Sequence, residues 1–182
     1  MLSEFLLPSK GEDGVYRFQL PIGQGAVPFI HLDDFARYVS WIYSNPARSN
    51  RMLLGIATAH VSGPELATAF AKVTGHKAEY VDLPAESWVE VAFKNLPQGK
   101  DTKVGISGVK DPNALLMTFG ENFINWWNLY KASAGNKGLI RRDYDLLNSI
   151  LPDRVKSAEE WMRKIGYDGT KRQVIKTANR AS

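Results

Sequence analysis

One stretch, Ala26 to Tyr43, constrains the fold of this chain more than any other. A short extended run, Val27–Ile30, leads through two aspartates into a long apolar segment. Asp33 or Asp34 is predicted to be the N-cap of a helix, because a short carboxylate can accept hydrogen bonds from the free N–H groups of the first turn. The sequence therefore predicts a strand that passes directly into a capped helix.

The apolar residues of this helix recur at helical spacing. Phe35, Val39 and Ile42 follow the i, i+4, i+7 pattern and predict its buried face. The helix is expected to end at Asn45–Pro46, because proline restricts the residue before it. This stretch is thus interpreted as a core helix of an α/β domain.

Length and composition narrow the class of protein. The 182 residues fit one domain, and 44% hydrophobic with 23% charged residues is ordinary for a globular protein. No apolar run reaches about 18 residues, so no membrane span is expected. The absence of cysteine excludes disulfides, Cys-based zinc sites and thiol catalysis, and the N-terminal residues do not resemble a signal peptide. We expect a cytoplasmic protein.

The net charge of +4 is concentrated near the C-terminus. Residues 137–182 contain 11 basic and 6 acidic side chains. The two signs alternate there and few aromatic residues are interleaved, so a solvated helical surface is favoured over a nucleic-acid interface. We expect no nucleic-acid partner.

Periodicity and capping signals predict the remaining elements. Strands are predicted at Val15–Leu20, Met52–Ala57 and Lys77–Leu83. Capping boxes are predicted at Ser62 with Glu65 and at Ser157 with Glu160. The predicted helices run from Ser62 to a C-terminal Gly75, over Pro84–Phe93, over Asn113–Ala132, and from Ser157 to Gly166.

Two segments lack a convincing core face. Asn95–Pro112 contains three glycines, two prolines and several lysines, and connections of this length are usually flexible or functional loops. Residues 167–182 are predicted to fray. The chain is therefore read as one domain, residues 1–182, with a flexible loop at 95–112 and a frayed tail.

Three glycine or tyrosine motifs look like cofactor or catalytic motifs but lack the required context. Gly23-Gln24-Gly25 follows a strand, yet a second extended run follows it where a pyrophosphate site needs a helix N-terminus. Gly105–Gly108 opens no predicted helix. Tyr167 and Lys171 have the Tyr-x-x-x-Lys spacing, but Asp168-Gly169 between them signals a turn. We expect a tight turn at residues 23–25 and no catalytic residue among these motifs.

The histidines do not indicate a metal site. His31, His60 and His76 show no ligand spacing such as i, i+4, and no carboxylate cluster accompanies them. They are interpreted as structural or solvent-exposed side chains. No metal is expected.

The predicted helix Asn113–Ala132 is the most aromatic part of the chain. Phe123 and Trp127 lie on its apolar face, with Trp126 beside it. Because consecutive helical residues point about 100° apart, the two tryptophans cannot face one core. One is expected in the core, and the other is available to a ligand or to the absent half of the protein.

An ordered series of segments gives the chain a family resemblance. The order is a strand ending at Pro21, the run around Asp34-Phe35-Ala36, a helix ending at Lys72–Gly75, a strand ending at Tyr80–Pro84, and the acidic-Trp segment Ser157–Met162. This series resembles the C-terminal half of the NmrA-like family, which are atypical short-chain dehydrogenases/reductases with a Rossmann domain.

The resemblance implies a fold and a function. The fold expected is α/β: the substrate-side lobe of an NmrA-like Rossmann protein, helix-rich with a few short strands, without the N-terminal dinucleotide-binding half. It implies NAD(P) for a full-length relative, a small-molecule substrate, and a substrate pocket that includes Phe123, Trp126 and Trp127. The chain alone is expected to lack cofactor and activity. The alternative is a catalytically silent, nucleotide-sensing regulator that binds a protein partner.

Overall fold

The structure is a computed structural model that describes residues 6–94, 99–105, 111 and 113–170. This part of the chain forms two small sheets and seven helices. The strands are β1 (Ser9–Lys10), β2 (Tyr16–Leu20), β3 (Val27–Phe29), β4 (Ala59–Val61) and β5 (Ala78–Asp82). The helices are α1 (Leu32–Ser44), α2 (Pro46–Ser49), α3 (Gly63–Thr74), α4 (Ala85–Phe93), α5 (Phe119–Lys131), α6 (Tyr144–Ile150) and α7 (Ala158–Ile165), with a 3₁₀ turn at Gly135–Lys137. The fold is therefore α/β and helix-rich, as predicted.

A parallel strand pair lies at the centre of the larger sheet. β2 pairs in parallel with β5, from Tyr16 opposite Ala78 to Leu20 opposite Asp82, and β1 adds an antiparallel edge. Helix α3 connects to β5 and packs on it, and α7 packs on α3. The predicted strands near residues 15–20 and 77–83 are confirmed, and α3 packs on both of them.

The predicted strand Met52–Ala57 is wrong. Residues 52–57 are extended but pair with no strand among the described residues, and the strand of this region is β4, which pairs antiparallel with β3. Leu54 and Ile56 pack instead against the small core around Tyr38. The apolar run reflects packing against helices and not a sheet ladder.

Helix α3 has the ends that the sequence predicts. The Ser62 hydroxyl accepts from the Glu65 N–H, and the Glu65 carboxylate accepts from the Ser62 N–H. Gly75 ends the helix in the left-handed conformation, at φ 74°. Its buried side includes Leu66 and Phe70.

The predicted cap of α1 is wrong. His31 occupies the N-cap position, and its side chain makes no capping bond. Asp34 is the third residue of the helix, in its first turn, where it is 2% exposed and accepts a hydrogen bond from the Val155 N–H at 2.8 Å. The carboxylate is used for a tertiary contact because the segment before α7 passes over the start of α1. The predicted helix end is confirmed, since α1 stops at Ser44.

The predicted buried face of α1 is also wrong. Tyr38 is buried and donates its hydroxyl to the carbonyl of Leu147, whereas Phe35 is 46% exposed. The apolar residues of α1 cover more than half of its circumference, so spacing alone could not select the side that faces α6. A second apolar row stays on the surface, with Leu32 and Tyr43 58% and 82% exposed.

The C-terminal helices begin where their caps are. The helix predicted over Asn113–Ala132 is shorter, because a capping box of Thr118 and Glu121 starts α5 at Phe119. Ahead of α7, the Ser157 hydroxyl accepts from the Glu160 N–H as predicted. The Glu160 carboxylate bonds to the N–H of residue 156 instead of completing the box.

The predicted flexible loop and frayed tail lie partly outside the described residues, namely at 95–98, 106–110, 112 and 171–182. Within the loop, Lys103 forms a bridge to Thr118. Tyr167 of the predicted tail is buried against Phe70 and Trp161. Among the described helices, none combines the length and the apolar character needed to cross a bilayer.

Candidate functional site

The most distinctive side-chain cluster is an aromatic ledge formed by α4 and α5. We define the ledge as Trp88, Phe123, Trp126, Trp127 and Tyr130. Ring centroids of Trp126 lie 4.6 Å from Trp127 and 4.7 Å from Tyr130, and Trp88 lies 5.0 Å from Trp127. Edge-to-face arrangements of this kind add to the stability that burial alone provides. The ledge is therefore a rigid surface.

Local sequence explains where the ledge lies. Helix α4 follows β5 after only two residues, so its first turn is next to the carboxyl end of that strand. Gly120 of α5 faces α4, since a Cβ built there would be in van der Waals contact, 3.5 Å, with Val89 Cγ1. Gly25, in the turn after β2, lies against the C-terminal turn of α5, where a Cβ would be 2.2 Å from the Tyr130 carbonyl oxygen. The ledge thus stands at the carboxyl ends of β2 and β5.

The three predicted substrate-binding residues all belong to the ledge. Trp127 is fully buried, while Phe123 and Trp126 are half-buried. The indole Nε1 of Trp127 has no hydrogen-bond partner among the described residues, and its ring meets those of Trp88 and Trp126 edge-on. Trp127 is accordingly a core side chain that supports the ledge, and of the three predicted residues Trp126 and Phe123 reach the surface.

The turn beside the ledge is fixed by a pair that sequence reasoning missed. Asp82, at the end of β5, accepts hydrogen bonds from the Gly23 N–H at 2.9 Å and from the Tyr80 hydroxyl at 2.8 Å. Burial and the adjacent Asp82 carboxylate raise the pKa of Tyr80, so the phenol stays protonated and keeps donating. The predicted tight turn at residues 23–25 is confirmed by the Gly25 N–H, which donates to the Ile22 carbonyl at 2.7 Å. Nothing in the sequence around Asp82 marks the bond to Gly23, which lies in the turn after β2 and 59 residues earlier in the chain.

A cavity of about 500 Å³ lies at the opposite end of the parallel pair. Its lining includes His76, Arg163 and Asp168 at the C-terminal ends of α3 and α7. His76 precedes β5 and stacks on Tyr16, the first residue of β2, so this cavity adjoins the amino ends of the strands. Ligands of open α/β sheets bind outside the carboxyl ends. The ledge is the better candidate.

His60 and His31 are built into the structure. His60 Nε2 lies 2.9 Å from the Ile140 carbonyl and Nδ1 lies 2.7 Å from the Tyr144 hydroxyl. Because a carbonyl only accepts, we assign the proton to Nε2 and the Tyr144 hydroxyl as donor to Nδ1. Burial, followed by the charge of Arg142, lowers the pKa of His60. Within the described ranges, no group of three or more potential ligands could hold a metal ion.

The Tyr-x-x-x-Lys match is not assembled as a catalytic pair in the described residues. Tyr167 is buried in the core beside Phe70, and Lys171 lies outside the described part of the chain. Asp168 and Gly169 between them form a turn, with Gly169 at φ 82°. A buried tyrosine of this kind supports packing.

The described helix N-termini are poorly suited to a dinucleotide pyrophosphate. The first turn of α1 contains Asp33 and Asp34, and that of α4 contains Glu86. The first turn of α3 is occupied by the Glu65 carboxylate, which bonds to Ser62. Each carboxylate would repel a phosphate at the position where a pyrophosphate site needs free N–H groups. The glycine turn at 23–25 leads into β3. The space beside Gly25 is filled by the backbone of α5.

Comparison with known proteins agrees with the fold. A sequence model described as the NmrA-like family matches residues 2–106, more than half of the chain. The chain belongs to the NmrA-like family. The part of the chain that matches spans β1 to α4, which includes the parallel pair and the glycine turn.

Two relatives give the extent of the similarity. The chain is 34% identical over 83 residues to the NmrA-like family domain-containing oxidoreductase hkm9 of Aspergillus hancockii, which is 45% of this chain and 24% of that protein. A crystal structure of a doubly substituted NmrA superposes with a TM-score of 0.55 at 16% identity, covering 86% of this chain and 45% of NmrA. The chain thus has the fold of part of NmrA and spans less than half the length of both relatives.

Proposed function

We propose that this chain is the substrate-side lobe of an NAD(P)-linked oxidoreductase of the NmrA-like family. The aromatic ledge at the carboxyl ends of β2 and β5 is the observation that carries the proposal. The position is the one where open α/β sheets bind ligands, and the ledge offers a half-exposed indole on a rigid support. The oxidoreductase name of the Aspergillus hancockii relative is consistent with this.

In this proposal the ledge binds the substrate and the cofactor site lies elsewhere. NmrA-like proteins generally bind NAD(P), which supplies the hydride that no side chain can provide. The carboxylates at the N-termini of α1, α3 and α4 do not fit its pyrophosphate, so the chain alone is not expected to carry out hydride transfer. Its own contribution is to hold a small carbonyl or alkene substrate against Trp126 and Phe123 and to exclude water.

The ledge can be tested through the indole N–H signals of the five tryptophans. We expect 2-acetonaphthone, an aryl ketone, to shift the Trp126 indole signal in ¹H–¹⁵N spectra in a saturable way. Trp41, which packs in the separate small core with Tyr38, serves as the internal control and should not shift. Saturable shifts at Trp41 with none at Trp126 would contradict the proposal.

The cofactor part of the proposal has its own measurement. Calorimetric titration of the purified chain with NADPH should show no saturable binding. Micromolar binding by the chain alone would mean that it contains a complete nucleotide site, and the assignment as a substrate-side lobe would then be withdrawn.

A second candidate function is a nucleotide-sensing regulator with a protein partner. The exposed apolar row of α1, with Leu32, Phe35 and Tyr43, favours it because such rows are typical of protein contacts. The two candidates differ at the ledge. A regulator requires no small-molecule binding there, so the Trp126 titration separates them.

A further inference from the structure

Asn122 is an exposed polar side chain one helical turn before Trp126 on α5. Asn122 precedes Trp126 by four residues on α5, and Leu129 follows it by three. Residues three or four apart on a helix are neighbours, with Cβ atoms about 5–6 Å apart. The exposed border of the ledge is therefore an amide, an indole and a leucine in one row.

The other polar side chains near the start of α5 are already engaged. The Glu121 carboxylate accepts hydrogen bonds from the N–H and the hydroxyl of Thr118, and the N–H bond, followed by the hydroxyl bond, lowers its pKa. The Asn125 amide lies 3.6 Å from the Met117 sulfur. The Asn122 side chain is exposed and has no hydrogen-bond partner among the described residues. Asn122 is thus free to bond a ligand that rests on Trp126.

An amide in this position favours oxygen. Its NH₂ group can donate to a carbonyl, and its carbonyl can accept from a hydroxyl. A flat apolar ligand that carries an oxygen at its edge could pack on the Trp126 indole and hydrogen-bond to the Asn122 amide. A hydrocarbon of the same shape would leave the amide bonded only to water.

From this arrangement we infer that Asn122 is a specificity-determining residue of the ledge and selects flat apolar ligands that carry a carbonyl or hydroxyl oxygen. The inference rests on the proposed function, in which the ledge binds the substrate. A net hydrogen bond contributes about 0.5–1.5 kcal/mol, which corresponds to roughly a two- to tenfold preference.

The test compares 2-acetonaphthone with 2-ethylnaphthalene, which has a similar flat body and no oxygen. Affinities are measured from the Trp126 indole signal for the unmodified chain, Asn122→Leu and Asn128→Leu. Asn128 is an exposed residue of the same helix, about 200° around it from Trp126, so it is a matched control. We expect Asn122→Leu to lower the affinity for the ketone by about two- to tenfold and to leave the affinity for the hydrocarbon unchanged or higher. Asn128→Leu should change neither affinity.

A second variant guards against an effect of the added leucine surface. Asn122→Asp keeps the side-chain shape and replaces the donor by a second acceptor. At neutral pH it should therefore lower the affinity for the ketone more than the affinity for the hydrocarbon. Equal changes for the two probes in both variants, or no change, would overturn the role of Asn122 while leaving the ledge intact. Failure of both probes to shift Trp126 in the unmodified chain would overturn the ledge and this inference together.

Discussion

The carboxylate of Asp34, near the start of α1, accepts a hydrogen bond from the backbone N–H of Val155, 121 residues later in the chain. The other carboxylate oxygen accepts from Arg37 at 3.2 Å, and Arg37 in turn pairs with Asp153 at 2.6 Å. Arg154, which lies between Asp153 and Val155 in the sequence, is buried and donates to the Thr58 carbonyl. The segment before α7 is therefore held to the N-terminal half by polar contacts.

Asp34→Ala is expected to lower the free energy of unfolding by about 3 kcal/mol, because it leaves a buried N–H without an acceptor and Arg37 without its buried partner. Asp33→Ala is the control: its side chain is 82% exposed, so the loss should stay below about 1 kcal/mol. Urea unfolding of both variants gives the comparison. Equal losses would show that the Val155 contact contributes little.

The two adjacent tryptophans should respond differently to truncation. Trp127→Ala is expected to cost about 3–5 kcal/mol, since the ring is fully buried between α4 and α5. Trp126→Ala should cost less than about 2 kcal/mol, because part of its ring already contacts water. Thermal unfolding followed by circular dichroism measures both; a reversed order would contradict the assignment of Trp127 as the core member.

Gly25→Ala should separate the glycine turn from α5. The added Cβ would lie 2.2 Å from a backbone oxygen of α5, so the helix must shift, at a cost of about 1–3 kcal/mol. Gly99→Ala is the matched change at a glycine with no neighbour within 4 Å among the described residues and should be nearly neutral. The Trp126 indole signal should move in Gly25→Ala and stay in place in Gly99→Ala. An unmoved signal in Gly25→Ala would show that the turn does not position the ledge.

Stability should fall on mild acidification because of His60. Its folded-state pKa lies below the ordinary histidine value of about 6.5, so the native state binds fewer protons than the unfolded state between those two values. The contribution of neutral His60 is complete above about pH 6.5 and is lost as the pH falls from there through the folded pKa. Urea unfolding between pH 7.5 and 5 should show this decline, and His60→Gln should reduce it. An unchanged slope in His60→Gln would locate the effect at another group.

Local signals predicted local structure in this chain. The capping box at Ser62 and Glu65, the terminal Gly75 and the stop before Pro46 depend on residues within one helical turn, and each is confirmed. Asp34 was assigned a local role as a cap because its partner, 121 residues away, leaves no trace near it.

The aromatic ledge also depends on contacts between residues that are distant in the sequence, which local sequence signals do not reveal. Spacing placed the aromatic residues of α5 on one side, and the 100° argument predicted that one tryptophan would be buried. It could not say which one, because that depends on α4 and on the turn at Gly25. The contact of Asp82 with Gly23 was missed for the same reason, since Gly23 lies in the turn after β2, 59 residues earlier in the chain.

The long reach of these contacts has a consequence during synthesis. A ribosome releases the N-terminal residues first, so β2 emerges 62 residues ahead of its partner β5, and Asp34 emerges 121 residues ahead of Val155. Until that last segment appears, the nascent chain carries a helix with its future interior carboxylate in water and its wide apolar surface uncovered. Non-local pairing of this kind forms slowly. We therefore expect the incomplete chain to expose apolar surface to which chaperones bind.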